Sequence, residues 1–286
     1  MDVPLDQVII PSSFTELFSA WNRFQDAVLY AGGTNIFTKQ KNSSVSQPPV
    51  FISLDKISEL QRITRTEHSL DIGSMVTLNK LIELGKTVPG VLHDCVKNIA
   101  GVQLRNIATI GGNICSPQSY YPDTPAAFIA LDAQYELRNA NISRWVSASR
   151  FHTPQENTSL GKQELLTRIR LPLHQWDYAV YKKFQGEDYL NASAYSEVSR
   201  AALLFLAKTQ KNILSEIRVI IKTGSIVRNK PYEDLLNGKS LPLSRKTADD
   251  FIENWKDFFR LKRDEPNITK NTLINYIQEN IYNLSE

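Results

Sequence analysis

The chain has 286 residues, of which 42% are hydrophobic, 22% charged and 9% aromatic, values close to those of ordinary globular domains and far from those of disordered chains. Its 33 Lys plus Arg against 30 Asp plus Glu give a net charge of +3, spread without a long run of one sign, so there is no nucleic-acid footprint. Two cysteines, Cys95 and Cys115, exclude a disulfide framework. No apolar run reaches a membrane span, and the N-terminus lacks a basic segment ahead of an apolar one, which predicts a cytoplasmic chain of about two domains.

In chain order, Ser13 and Glu16 form a capping-box pattern ahead of a helix whose apolar face is Phe14, Leu17, Phe18 and Trp21. "AVLY" predicts a short buried strand that runs into Gly32-Gly33, and "VFISL" predicts a second strand. The stretch "LQRITRTEHSLDIGSMV" predicts a hairpin around Glu67-His68, and Thr77 predicts a cap for a helix carrying Leu78, Leu81 and Ile82. Another helix is expected from Pro89 to near Gly101, with Cys95 as a small core residue.

Asp123 and Pro125 mark a helix start in "DTPAAFIALDA", and "AQYELRN", "RWVSAS" and "ELLTRIRLPL" predict strands. Beyond "HQWD" come three long β-prone runs, "YAVYKKF", "ASAYSEVSRAALLFLA" and "EIRVIIKTGSI", then two helical patterns. The expected organisation is α+β, with a first domain over 1–174 (subdomains about 1–55 and 56–174). A second domain over 175–286 is expected to be a three-stranded sheet plus helices.

No two of the 12 glycines stand two apart, which removes GxGxxG, and no GK[ST] follows a glycine-rich loop. His68, His93, His152 and His174 are scattered, so no metal site is assigned, and no GxSxG elbow occurs. Two Gly-Gly turns remain, "YAGGTNIF" and "ATIGGNICSP", each leaving a strand-like run and each followed by a polar side chain. Glycine permits positive φ and close backbone approach, so successive N–H groups can converge on an anion. Two such nests would suit a diphosphate; a plain tight turn is the alternative for either alone. Asp123, ten residues beyond Asn113, suits either a helix cap or a ligand to sugar hydroxyls. No acid, base or nucleophile accompanies these turns, so no catalytic residue is assigned and the chemistry falls to a bound cofactor.

The ordered series "YAGGTNIF", "GVQLRNIATIGGNICSP" and "DTPAAFIALDA" resembles the flavin-binding subunit of the molybdenum hydroxylases, the family of the xanthine dehydrogenase FAD domain and the medium subunit of aerobic carbon monoxide dehydrogenase. The resemblance continues through "ELLTRIRLP" and "YKKF" to "RVIIKTGSIVRNKPYEDLLNGK". It implies a vanillyl-alcohol-oxidase-type FAD-binding fold, in which two α/β subdomains grip FAD and a C-terminal domain closes over the ring end.

Carried over by position, Leu29, Tyr30, Ala31, Gly32, Gly33, Thr34, Asn35 and Ile36 would wrap the pyrophosphate and ribityl chain. Thr109, Ile110, Gly111, Gly112 and Asn113 would form the second nest, Asp123 would bind sugar hydroxyls, and Leu166 would pack on the cofactor. Lys182 or Lys183 would approach the ring carbonyl edge, and Ile99 stands where some members place an aromatic residue on the flavin. The resemblance also implies partners, an iron–sulfur subunit and a molybdopterin-binding large subunit, with electrons leaving to NAD or another acceptor. A xanthine dehydrogenase-like complex is the leading expectation, and a non-redox nucleotide-binding or assembly scaffold is the alternative.

Overall fold

A computed structural model describes residues 8–35, 50–116, 123–152, 158–184, 201–223, 225–261 and 267–284. The chain divides into two compact units, one of residues 1–89 with 96–173 and one of residues 174–286 with 90–95.

In the first unit, β1 (Val8–Ile9), β3 (Phe51–Ser53) and β2 (Val28–Tyr30) form a parallel sheet with β3 in the centre. Between β1 and β2 lies α1 (Phe14–Arg23). Its N-cap Ser13 accepts from Glu16 N–H at 3.3 Å, and the Glu16 carboxylate answers through Ser12, at 2.8 Å from its N–H, instead of through Ser13. Leu17 and Phe18 of α1 are buried with Ile52, Leu54, Ile57, Leu60, Met75 and Leu165. Amphipathic spacing thus places α1 on the small sheet, beside the strand that leads into the first glycine pair.

A five-stranded antiparallel sheet follows, in the order β4 (Ile63–Arg65), β5 (Ser69–Gly73), β8 (Leu165–Pro172), β6 (Gln134–Arg138), β7 (Ser143–Ser147). The expected hairpin is β4–β5, with Arg65 opposite Leu70. One face buries Leu70, Ile72, Tyr135, Leu137, Ile169 and Leu171. The other carries a charge ladder: Arg170 grips Asp71 with two hydrogen bonds of 2.8 Å, Arg168 donates to Glu136 at 3.0 and 3.1 Å, and Trp145 lies 4.5 Å from Arg170. Opposite charges facing each other across strands favour this register over its one-residue slip.

Short helices cross between these strands. They are α2 (Leu78–Glu83), α4 (Val102–Arg105), α5 (Ile110–Ile114), α6 (Thr124–Ala130) and α7 (Ala148–Phe151); α3 (Gly90–Lys97) comes between α2 and α4 in the chain, and its residues 90–95 are counted with the second unit. Helix α3 stops at Lys97, short of the expected Gly101, because the Arg105 guanidinium takes the carbonyls of Lys97, Ile99 and Ala100 at 3.2, 2.9 and 2.5 Å. Cationic side chains satisfy terminal helix carbonyls in this way. Cys95 is fully buried, as a small core residue should be.

Among the described residues the second unit carries an antiparallel sheet of four strands, where three were expected, ordered β12 (Ile226–Arg228), β11 (Ile213–Lys222), β10 (Ala201–Gln210), β9 (Tyr178–Phe184). The run "EIRVIIKTGSI" does not continue as one strand. It bends where Thr223 N–H donates to Ser225 O at 2.9 Å, and Ile226–Arg228 returns beside Ile220–Lys222. The first part of "ASAYSEVSRAALLFLA" lies outside the described residues. After α8 (Lys230–Asp234), helices α9 (Arg245–Leu261) and α10 (Asn267–Asn283) join the sheet through one core that includes Phe205, Val219, Phe251, Trp255, Leu273 and Ile277.

Two carboxylates report on the first unit. Arg144 hydrogen bonds hold Glu164 below the usual carboxylate range against a smaller opposing effect of burial, with Gly161 N–H assisting. Burial opposes ionisation of Glu136, but hydrogen bonds from Arg168, Thr167 and Ser143 outweigh it and keep its pKa low. Both folded values lie below an unfolded value of about 4.3, so their stabilisation is complete above that pH and is lost as pH falls through the folded values. The thermal midpoint, followed by circular dichroism from about pH 6 to about pH 3, should fall, and Glu164→Gln should flatten that fall. An identical pH slope in wild type and variant would show that Glu164 carries none of it.

Candidate functional site

The first glycine turn is shaped by backbone contact. A β-carbon on Gly32 would sit inside the Ile107 carbonyl, which is backbone and cannot rotate away. Gly33 follows at φ +70°, the left-handed region in which L side chains are strained. A left-handed residue is one of the two conformations that an anion-binding nest combines.

The second turn is built differently, and the expected second nest is corrected. Residues Ile110–Ile114 are helical, Thr109 is the N-cap, and its Oγ1 accepts from Gly112 N–H at 3.1 Å. Ile110 N–H donates to Val76 O at 2.9 Å, Gly111 N–H to Ser74 O at 2.8 Å, and Asn113 N–H to Thr109 O at 3.0 Å. These amides are therefore engaged within the protein. The glycine that the fold requires here is Gly111, whose β-carbon would stand 2.7 Å from Ser74 Cβ. The sequence pattern of two glycines was alike in both turns; the handedness of the backbone was not.

Side chains tie the turns together. Asn35 Nδ2 donates to Ser116 Oγ, Ser116 Oγ donates to Gly112 O at 2.7 Å, and Thr124 Oγ1 donates to Asn113 Oδ1 at 2.6 Å. Ser116, Asp123 and Thr124 are buried. Asp123 occupies the N-cap position of α6 without a side-chain cap hydrogen bond, so it does not act as the conventional cap.

Two clefts flank this junction and share Ala31, Met75 and Thr109 in their walls. The larger, of about 530 Å³, adds Tyr30, Gly32, Thr77, Lys80, Asn106 and Ile107. The narrower, of about 170 Å³, is lined by Leu29, Leu54, Leu160, Leu165 and Leu166, with Ser74, Gly111, Gly112, Cys115 and Glu164. Burial pushes the Cys115 thiol up to about 12, so it stays protonated and serves as an apolar wall. Glu164 is held by Arg144 through two contacts of 2.7 Å and by Gly161 N–H at 2.7 Å, leaving it a structural anion.

Residues 4–174 match the family described as the FAD binding domain in molybdopterin dehydrogenase. The chain belongs to this family. FAD is its cofactor, and it is an oxidoreductase subunit. It is 26% identical over 230 residues to the glyceraldehyde dehydrogenase medium chain of Sulfolobus acidocaldarius, covering 78% of this chain and 76% of that one. It is 33% identical over 149 residues to the xanthine dehydrogenase FAD-binding subunit of Escherichia coli O157:H7, covering 51% of this chain and half, 50%, of that subunit's length. Two solved structures share the fold over 100% of this chain and 98% of theirs. They are carbon monoxide dehydrogenase from Hydrogenophaga pseudoflava (TM-score 0.78, 23% identity) and quinoline 2-oxidoreductase from Pseudomonas putida 86 (TM-score 0.79, 19% identity).

The residues present fit the family's flavin dinucleotide. Such a ligand needs a polar stretch, an apolar stretch and donors without partners. The two clefts supply the first pair, and Ser74, 4% exposed at the wall of the narrow one, has a buried hydroxyl with no hydrogen-bond partner among the described residues. Of the residues named from the sequence, Leu29, Tyr30, Ala31, Gly32, Thr109, Gly111, Gly112 and Leu166 line these clefts. Gly33, Thr34, Asn35, Ile110 and Asn113 shape the two turns between them. Ile36 lies outside the described residues, and Ile99 is absent from the described lining of either cleft.

Lys182 and Lys183 belong to the second unit and stand on opposite faces of β9. Lys182 pairs with Leu203 on the face that Tyr178, Val180 and Phe184 turn to the helices, and Lys183 pairs with Ala202 on the other. Sequence reasoning missed Ser74, Met75, Thr77 and Ser116. The "GSMVT" stretch has a glycine at its head, Gly73, whose β-carbon would overlap the Leu60 carbonyl, and that was the available signal.

Gly32→Ala should force the strand end away from Ile107 and cost about 1–3 kcal/mol, as overpacking does. The expected readout is a lower thermal midpoint together with loss of bound FAD after gel filtration. Unchanged flavin content and midpoint would mean that this contact does not position the site.

Proposed function

We propose that the chain is the FAD-binding electron-transfer subunit of a molybdenum hydroxylase complex, most similar in kind to xanthine dehydrogenase. In this reading electrons arrive from iron–sulfur clusters on one partner chain, having left substrate on a molybdopterin-binding large subunit, and depart to NAD or another acceptor. The observation that carries it is the family match over the region whose two clefts meet at Ala31, Met75 and Thr109. The names of the glyceraldehyde, xanthine and carbon monoxide dehydrogenase relatives support it.

Bound FAD supplies the redox chemistry, joining single-electron donors to a two-electron acceptor. The chain's residues hold and orient it. Leu29 to Asn35 would hold the diphosphate and ribityl chain, Thr109 to Asn113 would close the opposite side, Asp123 would accept from sugar hydroxyls, and Leu166 would pack on the cofactor. Only one of Lys182 and Lys183 approaches the ring carbonyl edge, because neighbours on a strand face opposite ways. With two cysteines, these residues provide too few thiolates for a four-cysteine cluster, which is consistent with clusters carried by a partner. The assembly works in the cytoplasm.

The test is purification of the native complex, followed by metal analysis and dithionite titration. Iron, molybdenum and a flavin that bleaches with dithionite and recovers with NAD⁺ or a dye are expected. Lys182→Ala and Lys183→Ala should differ, one shifting the flavin potential and the other leaving it in place. A colourless chain that takes up no FAD would favour the scaffold alternative and end the redox reading.

A further inference from the structure

We propose that a charged cleft on the polar face of the five-stranded sheet binds a small oxyanion, a dicarboxylate or a phosphate, between the guanidinium groups of Arg62 and Arg138. The cleft shares no lining residue with the two clefts assigned to flavin, and the proposal does not rest on the flavin reading.

The cleft has a volume of about 290 Å³ and lies where the polar face of the sheet meets Phe14 of α1 and Glu59 of the 3₁₀ turn Ser58–Gln61. Backbone alternation separates it from the flavin side. Ile63 of β4 lines the larger flavin cleft, whereas its neighbours Arg62 and Thr64 line this one. The walls carry three acids, Glu59, Asp71 and Glu136, and three arginines, Arg62, Arg138 and Arg168. Equal numbers would allow mutual neutralisation, but the hydrogen bonds are distributed otherwise.

A carboxylate accepts about four hydrogen bonds. Glu136 has all four, from Arg168 at 3.0 and 3.1 Å, from Thr167 at 2.8 Å and from Ser143 at 3.1 Å. Asp71 is gripped by Arg170 through two bonds of 2.8 Å, with Arg168 at 3.5 Å. Arg170 is not a wall of the cleft, so one cation from outside it satisfies an acid inside it. Glu59 is exposed, accepts from Ser58 Oγ at 3.2 Å and pairs with neither remaining arginine. The guanidinium groups of Arg62 and Arg138 are therefore left without a hydrogen bond or ion pair among the described residues.

Arg138 is also held in place. Its Cζ lies 4.3 Å from the centroid of the Phe14 ring, and Phe14 stacks in turn on buried Phe18 at 6.4 Å. Stacking occupies the flat face of a guanidinium and leaves its N–H edge for a planar oxyanion. Glu136, two residues back on the same face of β6, is saturated and cannot take that edge. The volume lies at the lower limit for ligand sites, which selects a small ligand, and two guanidinium groups suit two negative charges.

The test is calorimetric titration of the full chain, at neutral pH and low ionic strength, with sodium malonate and separately with inorganic phosphate, against sodium chloride of matched ionic strength. At least one probe should bind saturably with Kd below about 1 mM, and which one binds assigns the ligand as a dicarboxylate or a phosphate. Arg62→Gln and Arg138→Gln should each weaken that probe at least about tenfold through loss of a charge-assisted hydrogen bond. Arg65→Gln, exposed on β4 outside the cleft, should leave it unchanged. Variants are checked by circular dichroism, and where one of the two cleft variants fails to fold, the other decides. Absence of saturable binding by either probe, full affinity in a folded cleft variant, or an equal loss in Arg65→Gln overturns the site.

Discussion

The site depends on backbones that touch where a side chain would keep them apart. Gly32 lies against the Ile107 carbonyl, Gly111 against Ser74, and Gly73 against the Leu60 carbonyl. Each contact joins segments distant in sequence, and together they bring the end of β2, the start of α2 and the start of α5 to one junction. Van der Waals repulsion rises steeply inside contact distance, so even a methyl group is excluded, and the constraint acts on the fold before any ligand arrives.

With the backbones set, hydrogen bonds divide the labour. The second turn engages its own amides in a capped helical turn, which makes it rigid but removes it as an amide cradle. Side-chain amides of both turns are tied to buried hydroxyls, Asn35 to Ser116 and Asn113 to Thr124. The first turn keeps the left-handed residue that an amide cradle needs, at Gly33. Two stretches that look like a repeated motif are thus two different devices.

Much of this was legible in the sequence, for physical reasons. Alternation and helical spacing placed α1, the β4–β5 hairpin and the long strands, because each has one apolar face and one polar face. The glycine pairs marked the junction because only glycine tolerates such approach. What could not be read was handedness at each glycine, since Gly111 and Gly112 sit in ordinary helical backbone and carry no local signature of it. The fourth strand, β12, was also hidden, because three residues give too short a pattern to separate from the run before it. Ser74 and Ser116 were invisible for a third reason: a serine becomes a ligand or a tether only through what folding sets beside it.

Two titratable groups line the narrow cleft, Cys115 and Glu164. Burial keeps Cys115 protonated, and Glu164 is ionised yet occupied by Arg144 and Gly161. Neither is poised to exchange a proton near neutral pH, where a general acid or base works best. A site of this kind contributes shape, fixed dipoles and exclusion of water, and leaves the chemistry to what it holds. The sequence points the same way, since neither glycine turn carries an activated nucleophile. Fixed amides and hydroxyls stabilise one charge distribution of a bound ring over another without taking part in the reaction, which is how a protein environment sets a cofactor's properties.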